Sequence, residues 1–95
     1  MADLRAKCRA FLSRPVPPGC DGEPDGVDLV TLRVCATGCL EKFVKSGQLP
    51  AADALILGVC VDQVAGLKSM LSGEAKAYFS ELAQLARVTL SERSD

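Results

Sequence analysis

Apolar residues recur along the chain at helical spacing. Leu4, Cys8, Phe11 and Leu12 fall three and four apart with Arg5, Lys7 and Arg9 between them, which predicts a short amphipathic helix over residues 2–13. Asp3 near its start suits the helix dipole. Pro15 disfavours helix at Arg14, and Pro17-Pro18-Gly19 prevents its resumption. Four prolines and three glycines then fall within residues 15–26, a density of breakers that makes this segment a long loop. A second helix is expected from Asp25–Asp28 to Lys45 or Ser46, stopped by Gly47. Its stripe of Leu29, Leu32, Ala36, Cys39 and Phe43 is widened by Val30 and Val34 to a surface that calls for two neighbours. Val27 to Val34, rich in β-branched residues, also suits a strand.

Gly47-Gln48-Leu49-Pro50 is a short connection, so a third helix, expected from Pro50 to Leu71, lies antiparallel to the second. Its segment Leu55-Ile56-Leu57-Gly58-Val59-Cys60-Val61 is the longest apolar run of the chain, and it is apolar nearly all round. Such a helix is expected to be covered by other helices or by a second copy of the chain. Gly73 is expected to cap it, and a fourth helix follows from Glu74 to about Glu92 with Tyr78, Leu82, Leu85, Ala86 and Thr89 or Leu90 inward. Residues 93–95 are expected to fray. The pattern therefore predicts an all-α fold: one domain over residues 1–95, an antiparallel bundle of about four helices with a short first one.

Composition narrows the core. Aromatic residues are only 4% of the chain and Trp is absent, so the interior is built from Leu, Val and Ala. The net charge of −1 supplies no field to draw the chain to nucleic acid or to an anionic membrane, and neither is expected as a partner. Charge is uneven along the chain. Arg5, Lys7, Arg9 and Arg14 precede a loop whose charges are all acidic, Asp21, Glu23 and Asp25 with Asp28 just beyond. These acids either solvate the surface or form a docking loop. No secretory h-region follows the basic N-terminal residues, and the apolar run is far short of the roughly 20 residues of a membrane span. A cytoplasmic protein is expected.

Histidine is absent, which removes the commonest general base and the commonest metal ligand. Most acids lie where water would leave them ordinary, and burial of one is most expected at Asp62. The expectation is a protein without catalysis and without a cofactor. The five cysteines fall mainly in helical patterns and read as reduced packing residues, with Cys20 in the loop the most accessible. No metal site is expected; a thiolate site would need Cys35, Cys39 and Cys60 to converge, with Cys8 available as a further ligand. Gly19, Gly22 and Gly26 do not form a phosphate loop, since no Gly-Lys-Ser/Thr follows. Gly38 and Gly58, inside helices, are expected to allow two helix backbones to approach closely. Asp62 and Gln63 interrupt the third helix's apolar surface. They lie either on its solvent stripe with Lys68 and Ser69 or in a groove, where they would orient a partner.

Asp28-Leu29-Val30 opening a long apolar helix, Leu57-Gly58-Val59 inside the next and Tyr78-Phe79-Ser80-Glu81-Leu82 in the last form an arrangement over residues 28–90. In helix order and length it resembles the small all-helical immunity proteins that neutralise type VI secretion effectors, particularly those guarding against NAD(P)-hydrolysing toxins. Val61-Asp62-Gln63-Val64 stands where an acidic, aromatic-containing segment would follow in that family, so no single residue's role carries across. The resemblance implies a cytoplasmic bacterial antitoxin that binds a cognate toxin domain and blocks its active site or substrate path. The surface expected to bind comprises Asp21, Glu23, Asp25, Asp28, Asp62 and Gln63, complementing a basic site. A helical adaptor, secretion chaperone or homodimeric assembly protein is the alternative, and a thiolate metal-binding bundle a second.

Overall fold

The computed structural model describes residues 3–92, and the expected fraying of 93–95 lies outside them. Four helices carry the fold: α1 (Leu4–Leu12), α2 (Leu29–Ser46), α3 (Ala51–Leu67) and α4 (Gly73–Glu92). There is no strand among the described residues, and Val27 is merely the extended residue before α2. The all-α bundle expected from the hydrophobic pattern is the fold.

Helices α1 and α2 each start at an aspartate that takes up a free N–H group, whereas α3 starts after Pro50 with no side-chain cap. Asp3 caps α1 by accepting from the Arg5 amide at 3.0 Å. Asp28 caps α2 twice over, accepting from the Val30 amide at 3.0 Å and from the Thr31 hydroxyl at 3.1 Å. Asp28→Ala is expected to lower stability by about 1 kcal/mol, read as a shift in the urea midpoint without a change in slope. Gly47 ends α2 at φ 76°, and its amide donates to the Phe43 carbonyl at 2.8 Å.

Helix α3 departs from expectation at its far end. It stops at Leu67, a 3₁₀ turn covers Lys68–Met70, and Gly73 opens α4 rather than capping α3. The positive φ of 59° at Gly73 turns the chain into α4, a conformation glycine adopts without a Cβ penalty.

Antiparallel pairing is visible in the contacts. Lys42, late in α2, meets Asp53, early in α3, whereas the Cys60 thiol reaches the carbonyl of Leu32, early in α2. Helix α1 lies against α2 and α4: the Arg5 guanidinium donates to the Val44 carbonyl at 2.7 Å, and Arg14 pairs with Glu81 at 2.8 Å. The core joins all four helices through Cys8, Phe11, Leu29, Leu40, Leu57, Leu67, Phe79 and Leu82. Phe11 stacks on Tyr78, and Phe79 meets Tyr78 edge-on. Thr89 is buried with its hydroxyl satisfied, donating to the Leu85 carbonyl at 2.8 Å.

The long loop is folded onto the bundle. Cys20 is buried, and the amides of Gly26, Val27 and Leu29 donate to the carbonyls of Glu23, Pro24 and Gly22. Asp25 takes a left-handed conformation at φ 54°, which aspartate tolerates better than most residues. Cys20 is therefore not the accessible thiol expected from the sequence; its side chain anchors the loop.

The apolar surface of α2 finds the neighbours it calls for, lying against α1, α3 and α4, although Val30 and Val34 stay 42% and 54% exposed. One expectation about coverage fails. The apolar run of α3 is only half covered, with Leu57 and Cys60 buried but Leu55, Ile56 and Val59 at 75%, 44% and 56% exposure. The partners of α3 are chiefly α2 and α4, and one side of its cylinder stays bare.

Candidate functional site: an apolar groove between α2 and α3

The bare side of α3 borders a groove of ≈ 370 Å³ between the first half of α2 and the middle of α3. Its walls include Thr31 and Cys35 from α2 and Ile56, Val59 and Gln63 from α3, with Leu32 and Cys60 in the floor. The α3 residues line one wall because spacings of three, four and seven return to the same side of a helix. Leu55, four residues before Val59, extends this apolar surface outward, and Val34 stands exposed on the α2 side. Gly26, Val27 and Asp28 close the end next to the acidic loop.

The residues expected to bind a partner separate into three groups. Asp21, Glu23 and Asp25 are exposed on the ordered loop and outside the groove lining, and Asp21 borders a separate hollow with Leu71 and Ala75. Asp28 lines the groove, but both its carboxylate oxygens are engaged in capping α2. Gln63 belongs to the groove wall, while Asp62 is exposed and outside the lining. The groove thus combines Gln63 with Asp28 and the Gly26–Val27 end of the loop, and no lysine or arginine lines it.

Asp62 is not the buried acid. That role falls to Asp53, three residues into α3, where the positive end of the helix dipole favours a carboxylate. Lys42 Nζ lies 3.3 Å from Asp53 Oδ1, and Oδ2 has no hydrogen-bond partner. Since Lys42 itself is 67% exposed, water screens the pair and the dipole is the steadier support. The signal was present in the sequence as an acid three residues after Pro50, but its burial depends on α2 packing over it.

The cysteines also divide by position. Cys35 is exposed on the groove wall, while Cys8, Cys20, Cys39 and Cys60 are buried. Burial, reinforced by the neighbouring Cys35 and Cys39 sulfurs, pushes the Cys60 thiol up to about 11. Burial likewise raises Cys39, with Asp53 adding to the effect and Lys42 opposing it. Cys35, Cys39 and Cys60 therefore share one region, as a thiolate site would require. Among the described residues, however, no three Cys, Asp or Glu side chains are grouped to hold a metal ion.

No family model, curated protein or solved structure matches the chain. Function must be read from this surface. No helix among the described residues is long and apolar enough to cross a membrane. Large exposed apolar patches on folded domains mark contact surfaces, whereas apolar residues scattered singly need no explanation. Here five of the seven large exposed ones lie on two adjacent helices, and Ile56 and Val59 of these line the groove. Ile56, Val59 and Gln63 were visible in the sequence as a helical set; nothing in their spacing says that no fourth neighbour covers them.

Proposed function

We propose that this chain is a noncatalytic protein-binding module, acting in the cytoplasm, whose binding face is the α2–α3 groove with the acidic loop at its end. One observation carries the reading: Leu55, Ile56 and Val59 project from a helix whose opposite side is fully packed. An apolar core beside polar rim groups is the anatomy of a protein interface. The loop is held by its own backbone hydrogen bonds, so docking against it would cost little ordering entropy.

Toxin neutralisation is the specific form of this reading. It rests on the resemblance in helix order and length to immunity proteins, and on acids at 21, 23 and 25 that would complement a site built for an anionic substrate. The chain would act sterically, covering the toxin's active site or substrate path.

Co-expression with a toxin domain, should one be encoded immediately upstream of the gene, tests it. Growth is expected to be restored by the wild-type chain and lost with Val59→Asp, while the helical circular dichroism of the variant stays unchanged. Rescue that survives Val59→Asp would remove the groove from the reading. Secretion-apparatus genes alone beside this one would turn it towards a chaperone.

A further inference from the structure

We propose that Cys35 and Cys60 are a redox pair: a low-molecular-weight disulfide oxidises them in the folded protein, and the bond they form joins α2 to α3 across the groove. The pairing concerns this chain alone and does not depend on what the groove binds.

Three observations bring the two thiols together. Both residues line the same groove, Cys35 in its α2 wall and Cys60 in its floor. The Cys60 sulfur lies 4.0 Å from the carbonyl oxygen of Leu32. In an α-helix a carbonyl points along the axis into the next turn, towards the residues three and four further on, which here are Cys35 and Ala36. Cys60 therefore stands beside the turn from which Cys35 projects. Its thiol also responds to that neighbour: burial pushes it up to about 11, and Cys35 adds more to the rise than Cys39 does.

The remaining cysteines are placed differently. Cys8 is buried against the Thr89 hydroxyl at 3.8 Å, Cys20 anchors the loop, and Cys39 is buried outside the groove lining. The close backbone approach expected at Gly38 and Gly58 does not occur, since a Cβ added at either meets nothing within 4 Å. What α2 and α3 bring together is the cysteine pair.

Unequal exposure sets the order of the chemistry. Cys35 is exposed, whereas Cys60 is 5% exposed, so a small disulfide RSSR meets Cys35 first. The Cys35 thiolate attacks one sulfur of the reagent, the S–S bond breaks, and the first RS⁻ leaves and takes up a proton. Cys60 then gives its proton to solvent and attacks the Cys35 sulfur. The bond to R breaks, and the second RS⁻ leaves and is protonated. Two protein thiols have lost two electrons and two protons, and one disulfide has become two thiols. In a reducing compartment such a bond is transient, which suits a redox-responsive role rather than a structural one. It would tie the wall of the groove to its floor, so oxidation reshapes the surface that the proposed function uses.

The test treats the full chain, reduced and dilute under native conditions, with excess hydroxyethyl disulfide. Mass spectrometry is expected to show a mercaptoethanol adduct on Cys35 first. The adduct should then disappear as the free thiols fall from five to three, with a Cys35–Cys60 linkage in the peptide map. Cys39→Ala is expected to leave that linkage intact, and Cys60→Ala to stop the reaction at the Cys35 adduct. Should Cys60→Ala fail to fold, the wild-type peptide map and thiol count decide alone. Because the bond closes residues 35–60 into a loop, the urea midpoint is expected to rise on oxidation.

An adduct that persists on Cys35 of the wild type would overturn the inference. So would a Cys35–Cys39 bond, a dimer linked through Cys35, or a linkage that forms only in urea. A lower urea midpoint on oxidation would overturn it as well, by showing that α2 and α3 had to be pulled out of place to reach bonding geometry. If Val59→Asp abolishes toxin rescue while no linkage forms, only the redox pair is wrong. If the linkage forms but rescue survives Val59→Asp, the proposed function fails at this face and the pair stands.

Discussion

Leu57→Ala is expected to cost about 2–5 kcal/mol, and Leu55→Ala, two residues earlier in the same apolar run, to stay within about 0.5 kcal/mol of wild type. Leu57 is fully buried in the core, whereas Leu55 is 75% exposed. Truncating the first loses the transfer free energy of its buried carbons and leaves a cavity that α2 and α4 can fill only partly. Truncating the second removes carbons that already face water. A single domain of this size has roughly 5–14 kcal/mol of total stability, so the Leu57 variant loses a large share of it. Urea titrations followed at 222 nm would measure both. A loss at Leu55 comparable with that at Leu57 would mean that α3 is covered in solution by something beyond its own chain.

The thiols are expected to differ in reactivity by two orders of magnitude or more. In the native protein near pH 8, Cys35 should be alkylated quickly, and Cys8, Cys20, Cys39 and Cys60 only after unfolding. Cys35 is the exposed thiol and the other four are buried. For Cys60, a rise from 9.0 to about 11 also cuts the thiolate fraction about a hundredfold near neutral pH, and the thiolate is the nucleophile. Mass spectrometry after timed iodoacetamide treatment, with and without denaturant, would count modified sites. Cys20 reacting as fast as Cys35 would contradict the anchored loop.

The same raised thiol makes stability depend on alkaline pH. From about pH 9 to 11 the unfolded chain has released the Cys60 proton while the folded chain keeps it, so raising pH favours unfolding. The contribution is intact below pH 9 and lost as pH rises through 11. Cys8, Cys20, Cys39 and Tyr78 are displaced upward as well, each chiefly by burial, and act with the same sign. Thermal midpoints are therefore expected to fall steadily above about pH 9, and less steeply in Cys60→Ala. A midpoint independent of pH across this range would show that the thiols are not desolvated in the folded state.

How far the sequence could be read differed from feature to feature. The helices α1, α2 and α4 were legible because breakers and caps are local: Pro15 ends α1, Asp28 and Gly47 bracket α2, and stripes such as Leu29, Leu32, Ala36 and Cys39 repeat with the helix. The end of α3 was less so. Lys68, Ser69 and Met70 carry no breaker, yet the helix changes to a 3₁₀ turn there.

The run from Leu55 to Val61 marks the boundary most clearly. Its residues determine by themselves that a helix forms and that it is apolar on nearly every side, because backbone geometry sets which positions share a face. Which side is covered is a property of the neighbours. Only the packing of α2 and α4 places Leu57 and Cys60 in the core and leaves Leu55, Ile56 and Val59 in water. Packing likewise buries Asp53 rather than Asp62 and Cys20 rather than Cys35, since burial depends on surface that residues distant in the chain take away from solvent.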